Sequence, residues 1–254
     1  MLSKSDLIKG FREIGIKDST KLLVHSSLSS FGYVEGDTDT IIDALIESVS
    51  PNGTVLVPTL TGSAELSSDN PPIFDVLNTP CWTGKIPETF RKRKNARRSY
   101  HPTHSVSGIG ADVDILIKNH HEDTTPCGIK SPYYKLGEVG GYILLIGVGF
   151  DVSTTFHTVE ELAEVDYHLQ KEMTNCTVIK EDGTKMTVRN YLHSYLGPER
   201  NFPIMEEIFK EKEIMRYTQI GKALIRMFPT KESIEITLDY LKKDPLFLAK
   251  KIWH

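Results

Sequence analysis

Apolar positions in the first half of the chain follow two different spacings. They recur every three or four residues over 7–14, which predicts a helix that Gly15 ends. The runs 21–25 and 54–60 are short and continuously apolar, as in buried strands, and a second helical pattern, 38–49, lies between them. Strand, helix and strand in this order favour a βαβ unit with a parallel sheet.

The second half adds further strands. Residues 142–146 form another buried-strand run, and 217–228 are a further strand candidate. The turn Glu181-Asp-Gly-Thr184 predicts a β-hairpin within an insertion over 167–216. Thr230 can cap a last helix. We therefore predict an α/β fold: a central mixed, largely parallel sheet with flanking helices and a small antiparallel C-terminal part.

The length fits one domain, over residues 1–254. Residues 61–80 are rich in Gly, Ser, Asp, Asn and Pro and show no period. A loop of this length is more typical of a substrate-covering segment than of a linker. We therefore expect 61–80 to be a substrate loop.

Composition and charge narrow the function. A net charge of -4 and a pI near 6.1 argue against a nucleic-acid partner. No apolar stretch reaches the roughly 18 residues of a membrane span, and the N-terminus lacks a secretory apolar region. Cys81, Cys127 and Cys176 are distant and odd in number, so they predict neither a disulfide framework nor a metal motif. We expect a cytoplasmic protein.

The densest polar cluster is Arg98-Ser-Tyr-His-Pro-Thr-His-Ser105. Proline between His101 and His104 disfavours a helical metal-ligand pair, and no Cys or carboxylate lies at ligand spacing. The two histidines either bond a polar ligand or fix a loop. The basic run 91–98 is either a solvated helix face or a source of charge for phosphates. The residues alone leave these alternatives open.

Small polar residues follow the first strand, in Ser26-Ser-Leu-Ser29. Such a turn leaves backbone N–H groups and hydroxyls free, which suits a phosphate. The alternative is an ordinary strand-to-helix connection capped by serines.

A second polar segment, 151–160, follows the strand 142–146. Its threonines, 154 and 155, are typical helix caps, and His157 and Glu160 would share one helix face. A histidine beside a carboxylate is a good general base. The alternative is an incidental pair on an exposed helix.

Several short motifs occur in a fixed order along the chain: Val24–Gly32, Pro51–Thr59, Phe74-Asp75, Arg98–Ser105, Gly128–Pro132, Leu145–Gly149 and Thr154–Glu160. As an ordered set they resemble the aminoglycoside 3-N-acetyltransferase family, which is distinct from the GNAT acetyltransferases. The resemblance spans roughly residues 1–240. It implies acetyl-CoA as donor, an amino group of a small molecule as acceptor, and an α/β fold.

The resemblance also implies residue roles. His157 would be the catalytic base, Glu160 would orient it or contact the acceptor amine, and Asp75 would lie on the acceptor side. No metal is expected. The coenzyme would be held by residues of the two polar motifs: Ser26, Ser27, Leu28, Ser29, Arg98, His101, His104 and Ser105.

The reaction that follows is direct transfer, in which the bound amine attacks the acetyl thioester while His157 removes its proton. The loop 61–80 carries only three acids, which leaves the acceptor open between an aminoglycoside and another amine.

Two other classes compete with transfer. One is a hydrolase with Ser105 or Ser26 as nucleophile, although no Gly-x-Ser-x-Gly elbow exists. The other is a coenzyme A-binding protein without turnover. The sequence leaves the oligomeric state open, a homo-oligomer included.

Overall fold

The computed structural model describes residues 1–250; residues 251–254, the end of the predicted domain range, lie outside the described residues. The α-helices are α1 Lys4–Glu13, α2 Asp37–Val49, α3 Lys85–Arg91, α4 Val113–Ile117, α5 Pro132–Glu138, α6 Thr155–Leu162, α7 Ile204–Glu211 and α8 Thr230–Lys243. The strands are β1 Lys21–Ser26, β2 Thr54–Pro58, β3 Ile73–Asp75, β4 Arg97–Arg98, β5 Val106–Gly110, β6 Tyr142–Ile146, β7 Leu169–Ile179, β8 Lys185–His193, β9 Arg216–Ile220 and β10 Ala223–Pro229.

Seven strands form the main sheet, in the order β4-β5-β2-β1-β6-β10-β9. The three central strands pair in parallel, β2 with β1 and β1 with β6. The outer strands pair antiparallel on both sides. This mixed sheet with flanking helices confirms the predicted α/β class.

The segment 217–228, expected to be one strand, is a hairpin of β9 and β10. Gly221 breaks it, because its φ of 59° lies in the left-handed region that tight hairpin turns require. Thr230 begins α8, but its side chain makes no capping bond.

A second sheet has the order β3-β7-β8. The hairpin predicted around 181–184 is confirmed, since β7 and β8 pair antiparallel from Ile179 and Lys185 outwards. The predicted loop 61–80 contains β3, which pairs in parallel with β7. Three residues are too few to show a strand period in the sequence.

Both faces of the central strands are buried, as in other parallel sheets. Leu22 and Val24 of β1 pack with the cluster that includes α1 and α2, and Leu23 packs on the other face with Leu136 of α5. Among residues 1–250 no helix is both long and apolar enough to cross a membrane.

The strand ends that matter for function lie side by side. Ser26, the last residue of β1, pairs in register with Ile146, the last of β6. Gly147 then turns the chain with a φ of 62°, and a Cβ there would lie 1.9 Å from Ser30 Oγ. The carboxyl ends of parallel strands are the usual place for a ligand in an α/β fold.

Candidate active site

A cavity of about 420 Å³ opens where β1, β2 and β6 end. The end of β1 gives His25 and Ser26 to its lining, and the segment 82–87 contributes further residues. The segment 148–157, with His157, and the end of β8, with His193, complete it. The site is therefore assembled at the carboxyl ends of the parallel strands, the usual place for a ligand in an α/β fold.

Helix α6 presents His157 to this cavity. The helix begins one residue after Thr154, as the sequence predicts. The threonine caps are wrong, however, because Thr154 makes no capping bond and the Thr155 hydroxyl has no partner. The local fold instead follows from Phe156 and Val159, which anchor the helix in the core.

His157 and Glu160 form the predicted pair. His157 Nδ1 lies 2.6 Å from Glu160 Oε2, so Nδ1 is the protonated nitrogen that donates to the carboxylate. Burial, partly opposed by Glu160, lowers the pKa of His157. The ring is therefore neutral near pH 7, with Nε2 free to accept a proton.

The Glu160 side chain has no solvent exposure, and other groups also hold it. Burial alone would raise its pKa, but the hydrogen bond from His157 and the adjacent His168 ring, 3.1 Å away, take the pKa well below its usual value. Arg200 Nε donates to Glu160 Oε1 at 3.0 Å. Glu160 is thus a fixed carboxylate, which fits orienting His157 better than contacting an acceptor.

His168 and Arg200 were missed by the sequence reasoning. Both lie in the predicted insertion, 8 and 40 residues from Glu160, and neither belongs to a local motif. His168 Nε2 is 3.2 Å from Glu161 Oε1. Burial lowers the pKa of His168, but Glu160 and Glu161 outweigh it and the pKa is raised. Only the abundance of histidine could have hinted at this cluster.

Ser26 and His104, both expected to contact the coenzyme, also line the cavity. The Ser26 hydroxyl is buried and has no hydrogen-bond partner within residues 1–250. Ser27, Leu28 and Ser29 form the turn just beyond it, at the surface. His104 Nδ1 bonds the Thr103 hydroxyl at 3.0 Å, and burial takes the pKa of His104 well below its usual value.

Three predicted coenzyme residues lie away from this cavity. The buried guanidinium of Arg98 donates to the hydroxyls of Thr59 and Ser105 and to three backbone carbonyls, those of Thr59, Val76 and Thr79. These bonds tie the residue that follows β2 to the segment 76–79. Ser105 donates to the Thr59 carbonyl at 2.7 Å. His101 Nδ1 accepts the His104 N–H at 3.0 Å. These contacts fit the alternative, in which the motif fixes a loop.

Asp75 is likewise outside the cavity lining. Its carboxylate accepts the backbone N–H groups of Leu77 and Asn78, both at 2.9 Å. These bonds form a turn of the kind that aspartate stabilises. Its contacts therefore support a structural role rather than the acceptor role that the resemblance implies.

Comparisons with known proteins agree with one family. The model of the aminoglycoside 3-N-acetyltransferases matches residues 23–242. Aminoglycoside N(3)-acetyltransferase IV of Salmonella sp is 30% identical over 245 residues, covering 96% of this chain and 88% of that relative. The aminoglycoside N(3')-acetyltransferase-like protein YokD of Bacillus subtilis is 30% identical over 253 residues, covering 92% and 90%.

Solved structures show the same fold. The crystal structure of YokD superposes with a TM-score of 0.82 at 27% identity, covering 98% of this chain and 95% of that one. A variant of aminoglycoside acetyltransferase AAC(3)-IVa in complex with apramycin superposes with a TM-score of 0.79 at 28% identity, covering 96% and 94%.

The fold, the cavity and these matches define an acetyl-CoA-dependent N-acetyltransferase. The chain belongs to the aminoglycoside 3-N-acetyltransferase family, as its ordered motifs predict.

Proposed function

We propose that this enzyme transfers the acetyl group of acetyl-CoA directly to an amino group of an aminoglycoside or a related amine, with His157 as general base. One observation carries the proposal: a neutral imidazole, held at 2.6 Å by a buried carboxylate, borders the cavity at the ends of the central strands. Such a pair is suited to taking a proton near neutral pH.

In the proposed reaction, the acetyl group passes directly from the coenzyme to the amine while both substrates are bound. The amine nitrogen attacks the carbonyl carbon of the thioester, a C–N bond forms, and the C–S bond breaks. His157 Nε2 takes a proton from the nitrogen and returns it to the departing thiolate. Glu160 stabilises the imidazolium between these events. General base catalysis of this kind contributes about 10²–10⁴-fold.

The negative oxygen of the tetrahedral intermediate needs a donor. Ser26 lines the same cavity as His157, and its buried hydroxyl has no partner among the described residues, so we assign it this role. The turn 27–29, just outside, provides hydroxyls and N–H groups for the coenzyme. His104 completes the wall on the reacting side.

The acceptor is proposed from the relatives, whose names specify aminoglycosides. Among residues 1–250, Asp151 is the single carboxylate in the cavity lining. Among the described residues that line the cavity, none belongs to the loop 61–80; the loop contacts the lining through Gly62, whose carbonyl accepts a hydrogen bond from Trp82 Nε1. A polycationic acceptor would find little negative charge to bind here, so the proposal also includes a related amine.

The three free cysteines fit the reducing cytoplasm expected from the sequence.

The contacts weigh against the two competing classes. Ser105 is fully buried and bonded to Thr59, and Ser26 has no base bonded to it. A serine nucleophile needs a base within hydrogen-bond reach. A silent coenzyme A-binding protein would have no use for the His157–Glu160 pair.

A thiol-release assay separates the three. The protein is mixed with acetyl-CoA, with and without a panel of aminoglycosides and simple amines. Release that requires an amine, together with an N-acetylated product by mass spectrometry, is the expected result. Release without amine would mean thioester hydrolysis, and binding without release would mean a silent protein; either result rejects the proposal.

A further inference from the structure

Three histidine rings, the triple-histidine cluster, meet beside the cavity. The ring centroids of His157, His168 and His193 are 4.8 to 4.9 Å apart. Each residue offers one ligand nitrogen, and these nitrogens all lie within 4.8 Å of one another. Direct transfer needs only His157 as a base, so the proposed reaction gives His168 and His193 no role.

Two nitrogens of the cluster lack a hydrogen-bond partner within residues 1–250. They are His168 Nδ1 and His193 Nδ1. The first lies 3.1 Å from Glu160 Oε2, an ion-pair distance, but its direction does not meet hydrogen-bond geometry. The His168 side chain is only 1% exposed. Buried polar atoms are nearly always paired, so such an atom points to a ligand.

We propose that His157, His168 and His193 bind one divalent transition-metal ion of the zinc class, and that this ion inhibits the enzyme. Three imidazoles with an open fourth position form a well-known zinc donor set. The ion would take the lone pair of His157 that the reaction needs. It is a ligand and an inhibitor here, and transfer itself needs no metal.

The surroundings favour a cation. Glu160 holds the His157 ring, and Glu161 holds the His168 ring. A carboxylate behind a ligating histidine fixes its orientation and raises its basicity. The positive charge of Arg200 opposes cation binding, because its guanidinium donates to Glu160. The carboxylates of Glu160 and Glu161 still outnumber this one guanidinium.

The cluster must contract to bind. Zinc–nitrogen bonds of about 2.0–2.1 Å place tetrahedral ligand nitrogens about 3.3 Å apart, compared with separations of up to 4.8 Å in the structure. His157 and His168 are held by their carboxylates. His193 is the last residue of β8 and its Nδ1 is unbonded. We therefore expect the His193 ring to make most of the closing movement.

Direct binding tests this inference without any activity measurement. Untagged, chelator-treated protein is titrated with Zn²⁺ against a chromophoric chelator. One ion per chain is expected, and His193→Gln should weaken its affinity about 100-fold or more, beyond the 10–100-fold that removal of an outer partner costs. His121→Gln is the matched control, because His121 lies outside the cluster near Tyr100, and it should bind as the wild type does.

Two outcomes would overturn the site: no stoichiometric ion, or a His193→Gln protein that binds as tightly as the wild type. Because His193 lies at a strand end, its variant should keep the fold, which circular dichroism checks. In the transfer assay, Zn²⁺ should inhibit and a chelator should restore turnover. Inhibition rests on the proposed function, but zinc affinity does not, so the two can fail separately.

Discussion

Glutamine in place of Glu160 perturbs the support of His157 without removing the base. Glu160 is fully buried, and its oxygens lie 2.6 Å from His157 Nδ1 and 3.0 Å from Arg200 Nε. Glutamine keeps the size and one acceptor oxygen. It removes the charge and places an NH₂ donor against one of these two donors, so one contact must be lost.

The loss in turnover follows from the bond that is weakened. A hydrogen bond to a charged group contributes about 1.5–3 kcal/mol. If that energy stabilises the imidazolium in the transition state, kcat should fall roughly 10- to 150-fold. Affinity for acetyl-CoA should not change, because Glu160 lies behind His157 and does not line the cavity.

The same substitution should cost stability. It leaves Arg200 and the buried His168 without their shared counter-charge. Breaking a buried pair from one side typically costs about 3–5 kcal/mol. Chemical denaturation measures this loss, and turnover is compared at a temperature where both proteins remain folded.

Glu161→Gln is the matched control. Glu161 neighbours Glu160 in α6 and bonds His168 and the Cys127 N–H, at 3.2 and 2.8 Å. It has no hydrogen bond to His157. This variant should also lose stability, but kcat should fall far less than in Glu160→Gln. Equal kcat losses in the two folded variants, or none in Glu160→Gln, would refute the orienting role.

Three further results are expected. Burial lowers the pKa of His25 and His120 to about 3, so the unfolded chain binds their protons first and stability falls below pH 6.5. Each of these two rings should cost roughly 1.4 kcal/mol of stability from pH 7.5 to 5.5. His104 and His157, whose pKa values are also lowered, add to this loss, and His168 acts in the opposite sense because its pKa is raised. Denaturation should therefore show a net loss of at least about 3 kcal/mol, and equal stability at both pH values would contradict this. Ser26→Ala should lower kcat by about 10²-fold, as loss of an oxyanion donor does, and an unchanged kcat would remove Ser26 from that role. Gly147→Ala should lower the unfolding free energy by about 1–3 kcal/mol, because φ is 62° and the new Cβ meets a serine side chain of the opposing turn; an unchanged midpoint would disprove this.

The local parts of this protein could be predicted from its sequence. The first helix, the βαβ order and the hairpin at 181–184 depend on neighbouring residues, whose spacing the sequence displays. The pairing of His157 with Glu160 is also local, because three residues on a helix bring two side chains together.

Contacts between residues that are far apart in the sequence could not be predicted. Arg200 reaches Glu160 across 40 residues, and no spacing rule describes that contact. The motif 98–105 shows the opposite difficulty. Its Arg, Ser and His side chains could hydrogen-bond a polar ligand or nearby backbone equally well. Only the structure shows that Arg98 and Ser105 are buried and donate to the Thr59 carbonyl.

The pH dependence of kcat in the wild type and in His157→Ala tests the central claim most directly. Burial lowers the pKa of His157, so wild-type turnover should decline only as the pH falls below 6.5. His157→Ala should lose about 10²–10⁴-fold in kcat together with that inflection, while it still binds acetyl-CoA. Near-normal turnover with the same inflection would show that the base is elsewhere.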